Sequence, residues 1–104
     1  MEINFTTTEN NMTIYLAGEL DHHTSIMARE RIDLKLSTSL HRNIIYDLTG
    51  LTFMDSSGIG LIANGCKIVK EFGGVVTVVI SNEKYVRIFK MSRMDELVKI
   101  KEVI

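Results

Sequence analysis

Tyr46 to Gly60 reads Y-D-L-T-G-L-T-F-M-D-S-S-G-I-G, and the way this passage divides decides the fold. Ile44-Ile45-Tyr46-Asp47-Leu48 is a short apolar run that suits a buried central strand. Thr49-Gly50 reads as a turn, and Leu51 to Met54 lead into the octet F-M-D-S-S-G-I-G, Phe53 to Gly60, where extended chain gives way to a predicted helix. A hydroxyl held at a helix start can be phosphorylated, and the added dianion changes the local field more than any neutral substitution. The octet reads as a switch.

Downstream, Ile59, Ile62, Ala63, Cys66 and Val69 trace a helical stripe with Lys67, Lys70 and Glu71 outside it, and Gly73-Gly74 ends that helix. Val75 to Ile80, V-V-T-V-V-I, is rich in β-branched residues and belongs inside a sheet. Asn82 can cap a third helix carrying Val86 and Phe89, and a turn at Asp95 to Leu97 leads to a last extended piece around Val98 to Ile100. Upstream, Met12, Ile14 and Leu16 alternate through a strand, Met12 to Ala17, which Gly18 ends. Ile3 and Phe5 form a shorter alternation before the turn Glu9-Asn10-Asn11, so the first two strands make a hairpin. Thr24 or Ser25 can cap a helix whose stripe is Ala28, Ile32, Leu36 and Leu40, stopping near His41 to Asn43. The order is β-β-α-β-α-β-α-β. It predicts an α/β domain over residues 1–104, with amphipathic helices packed on a mixed, partly parallel sheet through crossover connections.

Composition narrows the function. The 104 residues suit one domain, and 45% hydrophobic with 24% charged residues suits a packed core. Twelve Lys and Arg against thirteen Asp and Glu leave a net charge of -1, with no overall attraction to nucleic acid or an anionic membrane. The charges are unevenly spread, acidic over residues 1–25 and basic over the last quarter. The lone cysteine, Cys66, reads as core filler in a reducing cytoplasm, and neither a signal peptide nor a membrane span is expected.

Asp55 and Ser56 stand at the expected N-cap and first turn, where free backbone N–H groups make an anion-tolerant spot. Asp and Ser are also favoured helix caps with no further role. Gly58 and Gly60 point beyond capping, because each costs a helix up to about 1 kcal/mol relative to Ala. Their missing side chains open the turn to a visitor, either a phosphate-bearing small molecule or another protein's active site. The hydrolase signature G-x-S-x-G is absent. Gly58 to Ala63 fits G-x-G-x-x-A, but it begins some ten residues after the expected strand end, with no second half of a dinucleotide fold. His22, His23 and His41 lack the cluster a metal needs, and the first two are expected on a loop.

The passage Tyr46 to Gly60 resembles the signature of anti-sigma factor antagonists, which share the STAS fold with the cytoplasmic domains of sulfate transporters. Gly18 to Thr24, G-E-L-D-H-H-T, resembles the stage II sporulation branch of endospore-forming bacteria, and Lys84 to Ser92 also fits, with Phe89 and Met91-Ser92 at the third helix. The resemblance implies a cytoplasmic partner switch with no catalysis, cofactor or metal of its own. The unphosphorylated form binds an anti-sigma factor that is also a serine kinase using ATP. That kinase modifies Ser56, the first serine of D-S-S-G, and a serine phosphatase restores the binder. The implied partner surface comprises Asp21, His22 and His23 together with Asp55, Ser56, Ser57, Gly58, Ile59 and Gly60, and the two segments are expected side by side at one end of the sheet. Two departures stand out: sporulation members continue into a further helix where this chain ends at Ile104, and Arg93 replaces an expected glycine. The competing reading is a nucleotide- or small-anion-binding module built on the Ser56 to Gly60 turn.

Overall fold

Ile44, Tyr46 and Leu48 are fully or almost fully buried and alternate with partly exposed neighbours, the pattern of a central strand. A computed structural model describes residues 1–39 and 41–103. The elements are β1 (Glu2–Thr7), β2 (Asn11–Leu20), α1 (His22–Thr38), β3 (Asn43–Met54), α2 (Ser56–Glu71), β4 (Val75–Ile80), α3 (Glu83–Met91), a 3-10 turn (Met94–Glu96) and β5 (Lys99–Glu102). The strands form one sheet in the order β1-β2-β3-β4-β5. β1 and β2 pair antiparallel as a hairpin, and the other three pairs are parallel. The expected element order therefore stands.

Consecutive parallel strands joined by right-handed crossovers put every connecting helix on the same face. The burial agrees. Met12, Ile14 and Leu16 on β2, Ile44, Tyr46 and Leu48 on β3, and Val76, Val78 and Ile80 on β4 share one core with the buried faces of the helices. The stripe of α1 is buried at Ala28, Ile32 and Leu36, while Leu40 lies outside the described residues. Cys66 is buried as expected. The face of α2 is rotated from the expected stripe, with Gly58, Leu61 and Gly65 joining Ile62, Cys66 and Val69 in the core while Ile59 and Ala63 are half-buried. Asn64 Nδ2 donates to Asp33 Oδ2 at 2.8 Å, tying α2 to α1. No described helix is long and apolar enough to cross a membrane.

Both glycine stops were misread. Gly18 does not end β2, and Thr49-Gly50 is not a turn, because the β2–β3 ladder runs on to Leu20↔Met54 through two register shifts. Gly18 takes a φ of +98°, open to glycine, which lets the strand bulge and continue. At Gly50 a Cβ would stand 2.8 Å from that of Ala17 and 2.9 Å from the Tyr15 ring, so the missing side chain lets the strands close up. Arg93 adopts the left-handed conformation, φ 61°, which accounts for glycine as the expected residue there. Its guanidinium donates to both Glu96 carboxylate oxygens, at 3.0 and 2.9 Å.

Candidate functional site

The parallel pairing of Leu20 with Met54 brings the C-terminal ends of β2 and β3 together. Each strand is followed by an aspartate that caps the next helix. Asp21 accepts from the Thr24 N–H at 2.9 Å, and Thr24 Oγ1 accepts from the Asp21 N–H at 3.0 Å. This reciprocal box starts α1 at His22. His22 and His23 are thus the first helical residues, not the loop expected from sequence, and neither Thr24 nor Ser25 is the cap. The overlooked signal was the spacing D-x-x-T itself. The Thr24 amide bond, with lesser help from the Thr24 hydroxyl and from His23, outweighs desolvation and holds the Asp21 carboxyl below its ordinary value.

Asp55 caps α2 by accepting from the Ser57 N–H at 2.8 Å, and its own N–H donates to the Leu20 carbonyl at 3.3 Å, joining the two segments directly. Ser56 opens the helix with its side chain in solvent, whereas Ser57 is half-buried. Among the described residues neither serine hydroxyl has a hydrogen-bond partner. The structure therefore brings Asp21, His22 and His23 to the same sheet end as Asp55 to Gly60, with His22, His23, Ser56 and Gly60 exposed.

The two glycines differ in role. Gly60 has open space where a Cβ would stand, as expected of a turn that admits a visitor. Gly58 is buried, and a Cβ there would lie 2.6 Å from Met54 Cγ and 3.0 Å from Leu20 Cδ2. What approaches Gly58 is this chain's own core. The G-x-G-x-x-A run begins four residues beyond the strand end at Met54, not ten, since β3 continues past Gly50.

Between the first turns of α1 and α2 lies a cleft of about 220 Å³, lined by His22, Ile26, Arg29, Ser57, Gly60 and Leu61 among others. Ile26 and Arg29 were missed from sequence, because a helix capped at Thr24 or Ser25 has its first turns displaced. Ile26 is 53% exposed, so the rim of the cleft carries apolar surface beside the caps. The Arg29 guanidinium lies 3.7 Å from the Asp33 carboxylate. Among the described residues no group of three His, Cys, Asp or Glu stands close enough to hold a metal.

The family model described as STAS domain matches residues 2–104. The chain belongs to the STAS-domain family. This STAS domain is similar to the anti-sigma F factor antagonist of Paenibacillus polymyxa, 36% identical over 89 residues that make up 86% of this chain and 76% of that protein. Its fold is also that of the anti-sigma factor antagonist SpoIIAA solved in its unphosphorylated form, with a TM-score of 0.84, 24% identity and coverage of 99% of this chain and 89% of that one. The Bacillus cell fate determinant SpoIIAA in the phosphorylated form matches with a TM-score of 0.77 at 24% identity, covering 99% and 92%. The STAS domain thus keeps the expected fold over almost its whole length.

Proposed function

We propose that this STAS domain is an anti-sigma factor antagonist and that the α2 start is its phosphorylation switch. The observation that carries the reading is Ser56: an exposed, unpartnered hydroxyl on the first residue of a helix, beside a second helix start that presents His22 and His23. Unphosphorylated protein binds an anti-sigma factor with serine kinase activity and displaces the sigma factor it held. The kinase brings ATP and modifies Ser56, and a serine phosphatase reverses the step. The STAS domain itself catalyses nothing and works in the cytoplasm.

The physics supports a switch of binding rather than of folding. A phosphate carries about -1.5 to -2 charge, and at a helix N-terminus the macrodipole tolerates it. In an interface the same charge, next to Asp55 and the exposed apolar side chain of Ile26, adds bulk, repulsion and desolvation. Ser56 is favoured over Ser57 because it is exposed, and because adjacent residues on a helix point about 100° apart. A protein partner is favoured over a nucleotide because the cleft, about 220 Å³, falls below the roughly 300–1,000 Å³ of small-molecule sites.

The test is to incubate the protein with a candidate anti-sigma kinase and ATP, map the modified residue, and measure binding before and after modification. Phosphate on Ser56 and a loss of binding are expected. Stoichiometric modification of a Ser56→Ala variant, or unchanged affinity after modification, overturns the reading.

A further inference from the structure

Helices α1 and α2 follow the parallel neighbours β2 and β3 on one face of the sheet, so they run in the same direction. The bond from Asn64 Nδ2 to Asp33 Oδ2, at 2.8 Å, fixes their relative register. Residues four apart lie one above another on a helix face. Counting back by fours from this rung sets Arg29 level with Gly60 and Ser25 level with Ser56. The cleft agrees with the count, because Arg29, Gly60 and Ser25 all line it. Arg29 therefore faces a position where α2 has no side chain, with open space where a Cβ of Gly60 would stand.

The Arg29 guanidinium is poorly engaged where it lies. Its Nε is 3.7 Å from Asp33 Oδ2, beyond hydrogen-bond length, and that oxygen already accepts from Asn64. The other ion pair among the described residues, Arg93 with Glu96, is closed by two bonds of 3.0 and 2.9 Å. Asp33 lies C-terminal to Arg29, whereas long side chains on a helix lean towards its N-terminus, here towards the level of Ser56. One turn of rise, about 5.4 Å, separates the two levels, within the length of an arginine side chain. His22 is the other titratable side chain that lines the cleft, and no carboxylate among the described residues lines it.

We propose that Arg29 is the receptor for the phosphate on Ser56. On modification its guanidinium leaves Asp33, turns one helical turn back and pairs with the phosphate across the mouth of the cleft. This deepens the switch reading and rests on it, since that reading puts the phosphate on Ser56. A guanidinium presents a planar fork of N–H donors that matches two phosphate oxygens. A phosphate of about -1.5 to -2 charge outcompetes a single carboxylate that already accepts from Asn64. Asp33 keeps its bond to Asn64, so the helices hold their register while Arg29 moves. The paired groups then lie over the cleft beside Ile26, and a partner loses the cleft as well as meeting the charge.

Phosphorus NMR of the chain carrying phosphoserine at position 56, inserted during translation by a suppressor tRNA, tests this with neither kinase nor partner present. Free phosphoserine takes up its second proton near about pH 6. A guanidinium against the phosphate favours the dianion, so the phosphate should titrate at least about 0.5 pH unit lower with Arg29 than in an Arg29→Gln variant. Asp21, His22, His23 and Asp55, the other charged or titratable groups at the two helix starts, are common to both samples and cancel in that difference. Asp33→Asn, which can still accept from Asn64, removes the competitor and should lower the titration further, but not in the Arg29→Gln background. Arg29 is exposed and Asp33 half-buried, and circular dichroism melts check that the variants fold. Equal titrations with and without Arg29, or an Asp33→Asn effect that persists undiminished in Arg29→Gln, overturns the proposal. Because the phosphate is installed without the kinase, a kinase that ignores Ser56 would overturn the switch reading and leave these titrations unchanged, whereas equal titrations overturn the role of Arg29 and leave the switch reading standing.

Discussion

Asp21 and Asp55 each cap a helix that follows a parallel strand, and the Asp55 N–H to Leu20 carbonyl bond joins the two caps. They differ three residues further on. Thr24 turns its hydroxyl back to the Asp21 N–H and also donates to the Glu19 carbonyl at 2.7 Å, which locks the α1 start. The corresponding residue in α2 is Gly58, which has no side chain to reach back and sits against Leu20 and Met54. One helix start is closed by its own hydrogen bonds. The other is pinned from beneath by packing, which leaves both of its serine hydroxyls unengaged. Of these two helix starts, only that of α2 combines an anchored backbone with free hydroxyls.

Making the two starts alike should have the largest effect. Gly58→Thr copies the box residue of α1, but its side chain meets Met54 and Leu20, so a loss of about 2 kcal/mol is expected from overpacking rather than a gain from capping. A urea melt that shows stabilisation would mean packing does not set the difference. Next in size, Ser56→Asp should weaken binding to the anti-sigma factor about tenfold, roughly 1.4 kcal/mol, with an unchanged melting temperature. Ser56→Ala should bind like the wild type and resist ATP-dependent release. Aspartate has less charge and fewer acceptor oxygens than phosphate, so its defect should be smaller than that of the modified protein.

Removing a cap is expected to cost less. Asp55→Ala should lower stability by about 1 kcal/mol. At the other start the carboxylate can be titrated instead. The folded-state value of Asp21 is depressed, so its contribution is complete above the free-aspartate value of 3.8 and is lost as pH falls through the lower folded value. Amide-exchange protection in the first turn of α1 should fall in acid below that point, and Asp21→Asn, which still caps but does not titrate, should remove the dependence. Smallest is Gly60→Ala, where open space awaits the methyl group and helix propensity predicts a gain of about 0.5–1 kcal/mol. If Gly60→Ala and Gly58→Ala shifted stability by the same amount, the contrast between the glycines would fail.

Much of this architecture could be read in the chain. The alternations at Met12 to Leu16 and Ile44 to Leu48, the β-branched run Val75 to Ile80 and the caps Asp55 and Asn82 all lie in the expected elements, because binary patterning and capping act within a few residues. The misreadings share one cause. Gly18, Gly50 and Gly58 look alike in sequence, as breakers or openings, but the structure uses them for a bulge, a close strand approach and a helix pressed onto core side chains. A missing side chain does not reveal what fills its space. The start of α1 was misplaced for a related reason, since aspartate and threonine are both good caps and only the reciprocal bonds show that Asp21 is the N-cap.

By itself the sequence determined the kinds of elements, their order and the chemistry at the start of α2, since those follow from local periodicity, cap preference and the residue types of D-S-S-G. Only the tertiary structure decided that the caps of α1 and α2 meet, that Ser56 faces solvent while Ser57 turns toward a cleft, that Gly58 is packed and Gly60 open, and that one face of a largely parallel sheet is left bare. Those outcomes depend on strand register and the hand of the crossovers, which relate residues about thirty positions apart and leave no trace in any short window of sequence.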